Sequence, residues 1–184
     1  MGRRITDLVA VLGLLESFDE SMYRLETLQV YDVAYERPRY EAFLAGKPAD
    51  LAPGPWQVLI HGHLDAGRAV QRVHVVSEPL TDYLRYEIAT SYRRSVVAGE
   101  CIAIIPTMPG RWPSGIPTKD YWLIDDHDLW TMVYDDQGRF VAAEQITEPA
   151  ELQDAVDGKY RALATALPLD AYLATSHPEL RTPS

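Results

Sequence analysis

Apolar residues recur along this chain with two different periods, and the alternation between them predicts its elements. Leu8, Val11, Leu12, Leu15 and Phe18 fall three or four apart, the spacing of one helix face, and Thr6 or Asp7 can cap its start. Residues 22–33 are rich in β-branched and aromatic side chains and read as a strand. In that strand Tyr23, Leu25, Tyr31 and Val33 point one way, and Arg24, Glu26, Leu28 and Val30 the other. A short helix is expected over 37–44, ended by Gly46 and Pro48, and a loop over 49–55. Residues 56–62 and 68–76 read as two strands joined by a hairpin at 63–67.

Pro79, at a first-turn position where its missing N–H costs nothing, predicts a helix from Ser77-Glu78 to about Arg94. Residues 101–105 form an apolar run that suits a buried strand, and the Pro/Gly-rich stretch 107–117 suits a surface loop. Residues 121–125, 129–134 and 139–145 make a three-stranded meander with acidic turns at 126–128 and 135–138. Pro149 opens a last helix to about Leu167, followed by a helical turn over 169–174. The order predicts an α+β fold, a mostly antiparallel sheet of six or seven strands covered by about four helices. One domain is expected over 1–175, with a flexible tail over 176–184.

Composition narrows the function classes. The chain has 184 residues, 47% of them hydrophobic and 24% charged, the balance of an ordinary globular domain. Its formal net charge of −10 disfavours direct contact with a nucleic-acid backbone and leaves a protein partner, or a second copy in a homodimer, as the expectation. No run of about 18 apolar residues predicts a membrane span, and the stretch after Arg3-Arg4 is too short and broken for a secretory signal, so a cytoplasmic location is expected. The single cysteine, Cys101, excludes an intrachain disulfide and reads as a buried thiol in a strand.

No motif declares a reaction or a cofactor. Gly-rich phosphate loops are absent, and Ser114-Gly115 lies between prolines rather than between a strand and a helix, so it is no nucleophile elbow. His61, His63 and Asp65 are the candidate metal ligands, because two histidines at i and i+2 share a face if the segment is a strand. A polar hairpin tip explains the same residues. His127 among Asp125, Asp126 and Asp128 lacks the spacing of a calcium loop and reads as a turn. More informative are charges inside apolar elements. Arg24 and Glu26 share a strand face with Leu28 and Val30, Arg72 and His74 share one with Val70 and Val76, and Glu87 follows Tyr83 on the apolar side of a helix. If those faces are interior, the charges must pair. The pairing can be purely structural, or it can line a pocket with arginines for an anion and carboxylates for proton transfer. Trp112, on the Pro-rich loop, is the candidate partner-contacting aromatic.

A wider pattern runs through these residues. Tyr23-Arg24-Leu25-Glu26, Tyr31 and Glu36 are followed by Phe43-Leu44-Ala45-Gly46 and Trp56. Arg72-Val73-His74-Val75-Val76-Ser77-Glu78-Pro79 and Asp82-Tyr83-Leu84-Arg85-Tyr86-Glu87 come next, then Gly99-Glu100 and Tyr121-Trp122-Leu123-Ile124-Asp125-Asp126. The set, over about 14–172, resembles the actinobacterial DUF6879 family, a domain of unknown function. Members often sit beside helix-turn-helix regulators of toxin–antitoxin-like systems, which implies a regulatory or protein-interaction role; the family offers no established catalytic residues to carry across. The matching polar positions are Arg24, Glu26, Arg72, Asp82, Tyr83, Arg85, Glu87 and Glu100, and His61 and His63 lie outside the pattern.

Overall fold

A computed structural model describes residues 2–181. The elements are β1 (Arg4–Ile5), α1 (Leu8–Leu14), β2 (Ser21–Glu26), α2 (Arg37–Leu44), α3 (Pro55–Asp65), β3 (Ala69–Ser77), α4 (Asp82–Glu87), a π-helical turn (Ile88–Tyr92) and α5 (Arg93–Val97). There follow β4 (Cys101–Thr107), β5 (Tyr121–Ile124), β6 (Asp128–Tyr134), β7 (Phe140–Ile146), α6 (Pro149–Thr165), β8 (Leu167–Pro168), α7 (Leu169–Ser176) and a 3-10 turn (Pro178–Leu180). Leu180 is buried and His177 bonds Glu78, so packed chain reaches past residue 176; residues 182–184 of the expected tail lie outside the described part.

Among the described residues the strands form one mixed eight-stranded sheet, ordered β1-β7-β6-β5-β2-β3-β4-β8. The α+β expectation holds, and among the described residues five of the seven strand pairings are antiparallel, but the sheet is mixed and has eight strands rather than six or seven. β2, β3 and β4 are parallel neighbours at the centre and one side of the sheet. The reason lies in residues 55–65, which form α3 rather than a strand, so a helical crossover replaces the expected hairpin. Val58 and Ile60 gave the segment a strand-like composition. Its buried and half-buried positions are Trp56, Gln57, Leu59, Ile60, His63 and Leu64, pairs recurring three to four residues apart as on a helix face. Pro55 stands in the first turn, and the Gln57 side chain accepts the Gly54 N–H at 2.9 Å.

Helices cover both faces of the sheet. On one face α1 and α3 pack on Met22, Val70, Trp122 and Trp130. The continuous helix 82–97 and α7 pack beside them on Val76, Ile102 and Ile104. On the other face α6 lays Ala155 and Ala162 on Tyr23, Leu25, Val73, Val75 and Leu123. The strand alternation read from sequence thus places Arg24 and Glu26 on the first face and Tyr23 and Leu25 on the second. β2 stops at Glu26, well short of residue 33, because the next backbone donors leave the ladder: Thr27 N–H goes to Asp120 Oδ1 at 2.8 Å and Leu28 N–H to the Tyr31 hydroxyl at 3.3 Å. Cys101, expected to be buried, is exposed at the first position of β4. The acidic turn at 125–128 is a clamp: the Asp125 carboxylate accepts the N–H groups of Asp19, Glu20 and Ser21 at 2.7–2.8 Å.

Candidate functional site

Parallel pairing puts Arg24 opposite Arg72 and Glu26 opposite His74, with Trp122 on the far side of Arg24. Two guanidiniums on adjacent strands repel each other in a dry interior, so carboxylates must surround them. Arg24 Nη2 donates to Asp120 Oδ2 at 2.8 Å and to the Tyr134 hydroxyl at 3.0 Å. Arg72 donates from Nε to Glu100 Oε1 at 2.8 Å and from Nη1 to Glu26 Oε1 at 2.6 Å. Both cations stand over the Trp122 ring, 5.3 and 5.9 Å from its centroid. Asp120 also accepts from Tyr31, from Thr27 N–H and from the Thr27 hydroxyl. Trp56 Nε1 closes the far end on Glu100 at 3.3 Å.

The π-helical turn supplies the next layer. In such a turn residues five apart stack, which brings Glu87 and Tyr92 onto one face where an α-helix would splay them. The Tyr92 hydroxyl meets Glu26 Oε2 at 2.6 Å and His74 Nδ1 at 2.7 Å. His74 Nε2 faces the Leu28 carbonyl at 2.7 Å, and a carbonyl only accepts, so Nε2 carries a proton. Tyr92 then offers one proton to two acceptors. Burial pushes the His74 pKa down, against the pull of Glu26. Burial would also raise Glu26, but Arg72 and Arg24 overcome it and hold that carboxyl well below the usual range. Glu87 goes the other way. Burial, then the negative Glu26, push it well above the ordinary value, and its Oε2 has no hydrogen-bond partner among the described residues.

The fold therefore gathers Arg24, Glu26, Arg72, Glu87 and Glu100 into one buried cluster. Tyr83 joins at the edge, donating to Glu36 Oε2 at 3.2 Å and stacking against Tyr31. Asp82 and Arg85 stay outside: Asp82 is exposed in the first turn of α4, and Arg85 pairs with Glu179 at 2.9 Å on the surface. The sequence-derived set omitted Asp120 and Tyr92. Asp120 sits just before a strand with no local sign of burial, and Tyr92 enters through a helical irregularity that no periodicity reveals. The candidate metal trio is not gathered onto one face. On a helix His61 and His63 point to opposite sides; His61 is exposed, 3.6 Å from Asp65, while buried His63 faces the Leu15 carbonyl at 3.0 Å. Trp112 is 38% exposed, and its indole N–H is tied to the Ile116 carbonyl at 2.7 Å.

A second feature escaped the sequence. A groove of about 740 Å³ opens between α3, α5 and α7. Its apolar wall includes Leu51, Val58, Val97 and Leu173, of which Val58 is 68% and Val97 89% exposed. Arg93, Arg94 and Arg181 also line it. It does not include any residue of the buried cluster. The exposed helix face Val58–His61 would have been a sign of it, had 55–65 been read as helical.

Comparison with known proteins adds a fold and a family. A solved structure, a phospholipase D family member, Nuc from Salmonella typhimurium, matches with a TM-score of 0.53 over 91% of this chain and 97% of that chain. Sequence identity is 9%, so the likeness is one of fold alone. No curated protein matches the chain. The model of the family described as "Domain of unknown function (DUF6879)" matches residues 10–174, and the chain belongs to that family.

Proposed function

We propose that this domain is a non-enzymatic protein-interaction module of a cytoplasmic regulatory system, of transcriptional or toxin–antitoxin-like type. Its partner surface is the groove between α3, α5 and α7. One contrast carries the reading. The buried arginines are bonded to carboxylates inside the fold, so they are not available to a ligand, whereas large apolar side chains collect in an open groove. Exposed Val58 and Val97 contribute little to the fold and are suited to burial by a partner. The partner expected from the family's company is a helix-turn-helix regulator. The test is size-exclusion chromatography with light scattering on the chain mixed with the regulator encoded beside it. A complex that Val58→Glu/Val97→Glu abolishes supports the reading. No complex, or one indifferent to the substitutions, contradicts it.

A second reading, a small-molecule or catalytic site in the buried cluster, is favoured by one observation. Glu26 and Glu87 are driven in opposite directions, the divergence an acid–base pair needs, and they meet at the carboxyl end of β2. A thermal-shift screen of small metabolites tests it: a ligand whose stabilisation vanishes in Glu87→Gln supports this reading, and indifference to that change opposes it.

A further inference from the structure

The groove's chemistry is specific enough to name its occupant. We propose that it binds an acidic amphipathic helix of a partner protein, with the helix's apolar face on the groove wall and its carboxylates on the arginine rim. The proposal rests on the groove being the interaction surface and adds what fills it.

Charge is the first argument. The chain carries a net −10, yet the groove is lined by three arginines, with Asp170 as the lining carboxylate. An acidic partner is repelled by most of this surface and drawn to this part of it, which orients it on approach. The second argument is the spread of those cations. Arg93 and Arg94 lie on α5, while Arg181 follows the 3-10 turn after α7. A lipid-like anion has one head group and meets one of these positions. An amphipathic helix repeats its carboxylates along its flanks and meets several, while apolar residues at i, i+3, i+4 and i+7 cover the wall. The arginines are also held in place. The Arg93 guanidinium donates to the Leu180 carbonyl, and Arg94 Nη2 reaches the Ser91 hydroxyl at 3.5 Å. The Arg94 Nε is buried without a hydrogen-bond partner among the described residues, so the fold leaves a polar atom of this groove-lining residue unsatisfied. The third argument is exposure. Val58 and Val97 stand on two different helices and face the same opening, the arrangement of a slot rather than of scattered surface residues.

The experiment titrates the full chain with three probes. They are a fluorescein-labelled helical peptide of about 18 residues with leucines on one face and glutamates flanking it, the same peptide with lysines for glutamates, and laurate. The acidic peptide should bind, and Val97→Glu and Arg94→Glu should each weaken it by about tenfold or more. The lysine peptide should bind poorly to the natural chain and better to Arg94→Glu. Circular dichroism and thermal melts establish that both variants fold. Failure of the acidic peptide to bind, equal affinity for the two peptides, binding of laurate alone, or affinities that neither variant alters overturns the proposal. A groove-dependent complex with the regulator, obtained without acidic-peptide binding, removes only the occupant's chemistry. Peptide binding without any regulator complex removes the regulatory partner and leaves the occupant.

Discussion

Replacing Arg72 by methionine tests whether the buried cluster is a closed structural unit. The substitution keeps much of the side chain's volume and deletes the guanidinium. Glu100 is then left with the Trp56 N–H at 3.3 Å, and Glu26 with Tyr92 at 2.6 Å and the longer Arg24 contact at 3.5 Å. Their side chains are 1% and 7% exposed, so water cannot replace the lost cation. Removing one partner of such a buried pair costs about 3–5 kcal/mol, a large part of a domain's stability. With a urea slope of about 2 kcal/mol per molar, the unfolding midpoint falls by about 2 M. Adding Glu26→Gln and Glu100→Gln to Arg72→Met removes the stranded charges and should recover more than half of the loss. Equilibrium urea unfolding at neutral pH, followed by tryptophan fluorescence, reads all three states. A midpoint change under about 0.3 M for Arg72→Met, or a triple variant worse than the single one, would refute the reasoning.

Other consequences follow from the same geometry. Glu87 has its folded pKa raised above the ordinary 4.5, so its protonated form stabilises the fold below that value and the contribution fades as pH rises through the folded value. Glu87→Gln should therefore match the natural chain in urea midpoint near pH 4.5 and exceed it increasingly as pH rises from there; a constant difference contradicts this. Gly138 has φ +76°, and a Cβ there would stand 2.5 Å from the Val30 carbonyl oxygen, beside the loop that carries Tyr31. Gly138→Ala should cost about 1–3 kcal/mol in the same unfolding assay. His63→Ala should destabilise by about 1–3 kcal/mol because it strands the buried Leu15 carbonyl, while His61→Ala should change stability by less than about 0.5 kcal/mol. Neither should alter zinc uptake measured by equilibrium dialysis.

What the sequence revealed and concealed divides along physical lines. Charges at two-residue spacing in an apolar strand were legible as buried and paired, because alternation fixes a face and burial demands a partner. That reading found Arg24, Glu26, Arg72 and Glu87. It could not find Asp120, whose burial depends on which strand lies beside β2, nor the side-by-side placement of Arg24 and Arg72, which needs a parallel pairing. The parallel pairing was missed because one segment, 55–65, carries β-branched residues on a helix; its Pro55 start and its 56-57-59-60-63-64 burial are the stronger signals. Asp82 and Arg85 entered the candidate set through the family pattern, but a helix turns them outward. The groove was beyond reach, since its walls come from three helices far apart in the chain and its cations are ordinary surface arginines until the helices meet.

The most direct test of the whole account is a nuclear magnetic resonance titration of the isotope-labelled chain with the helix-turn-helix regulator proposed as its partner. The account predicts amide shift changes concentrated at Val58, His61, Arg94, Val97 and Leu173, with the Trp112 loop and the Arg72 cluster undisturbed. Shift changes centred on Trp112 or on the Glu26–Glu87 cluster, or none at all, would contradict it.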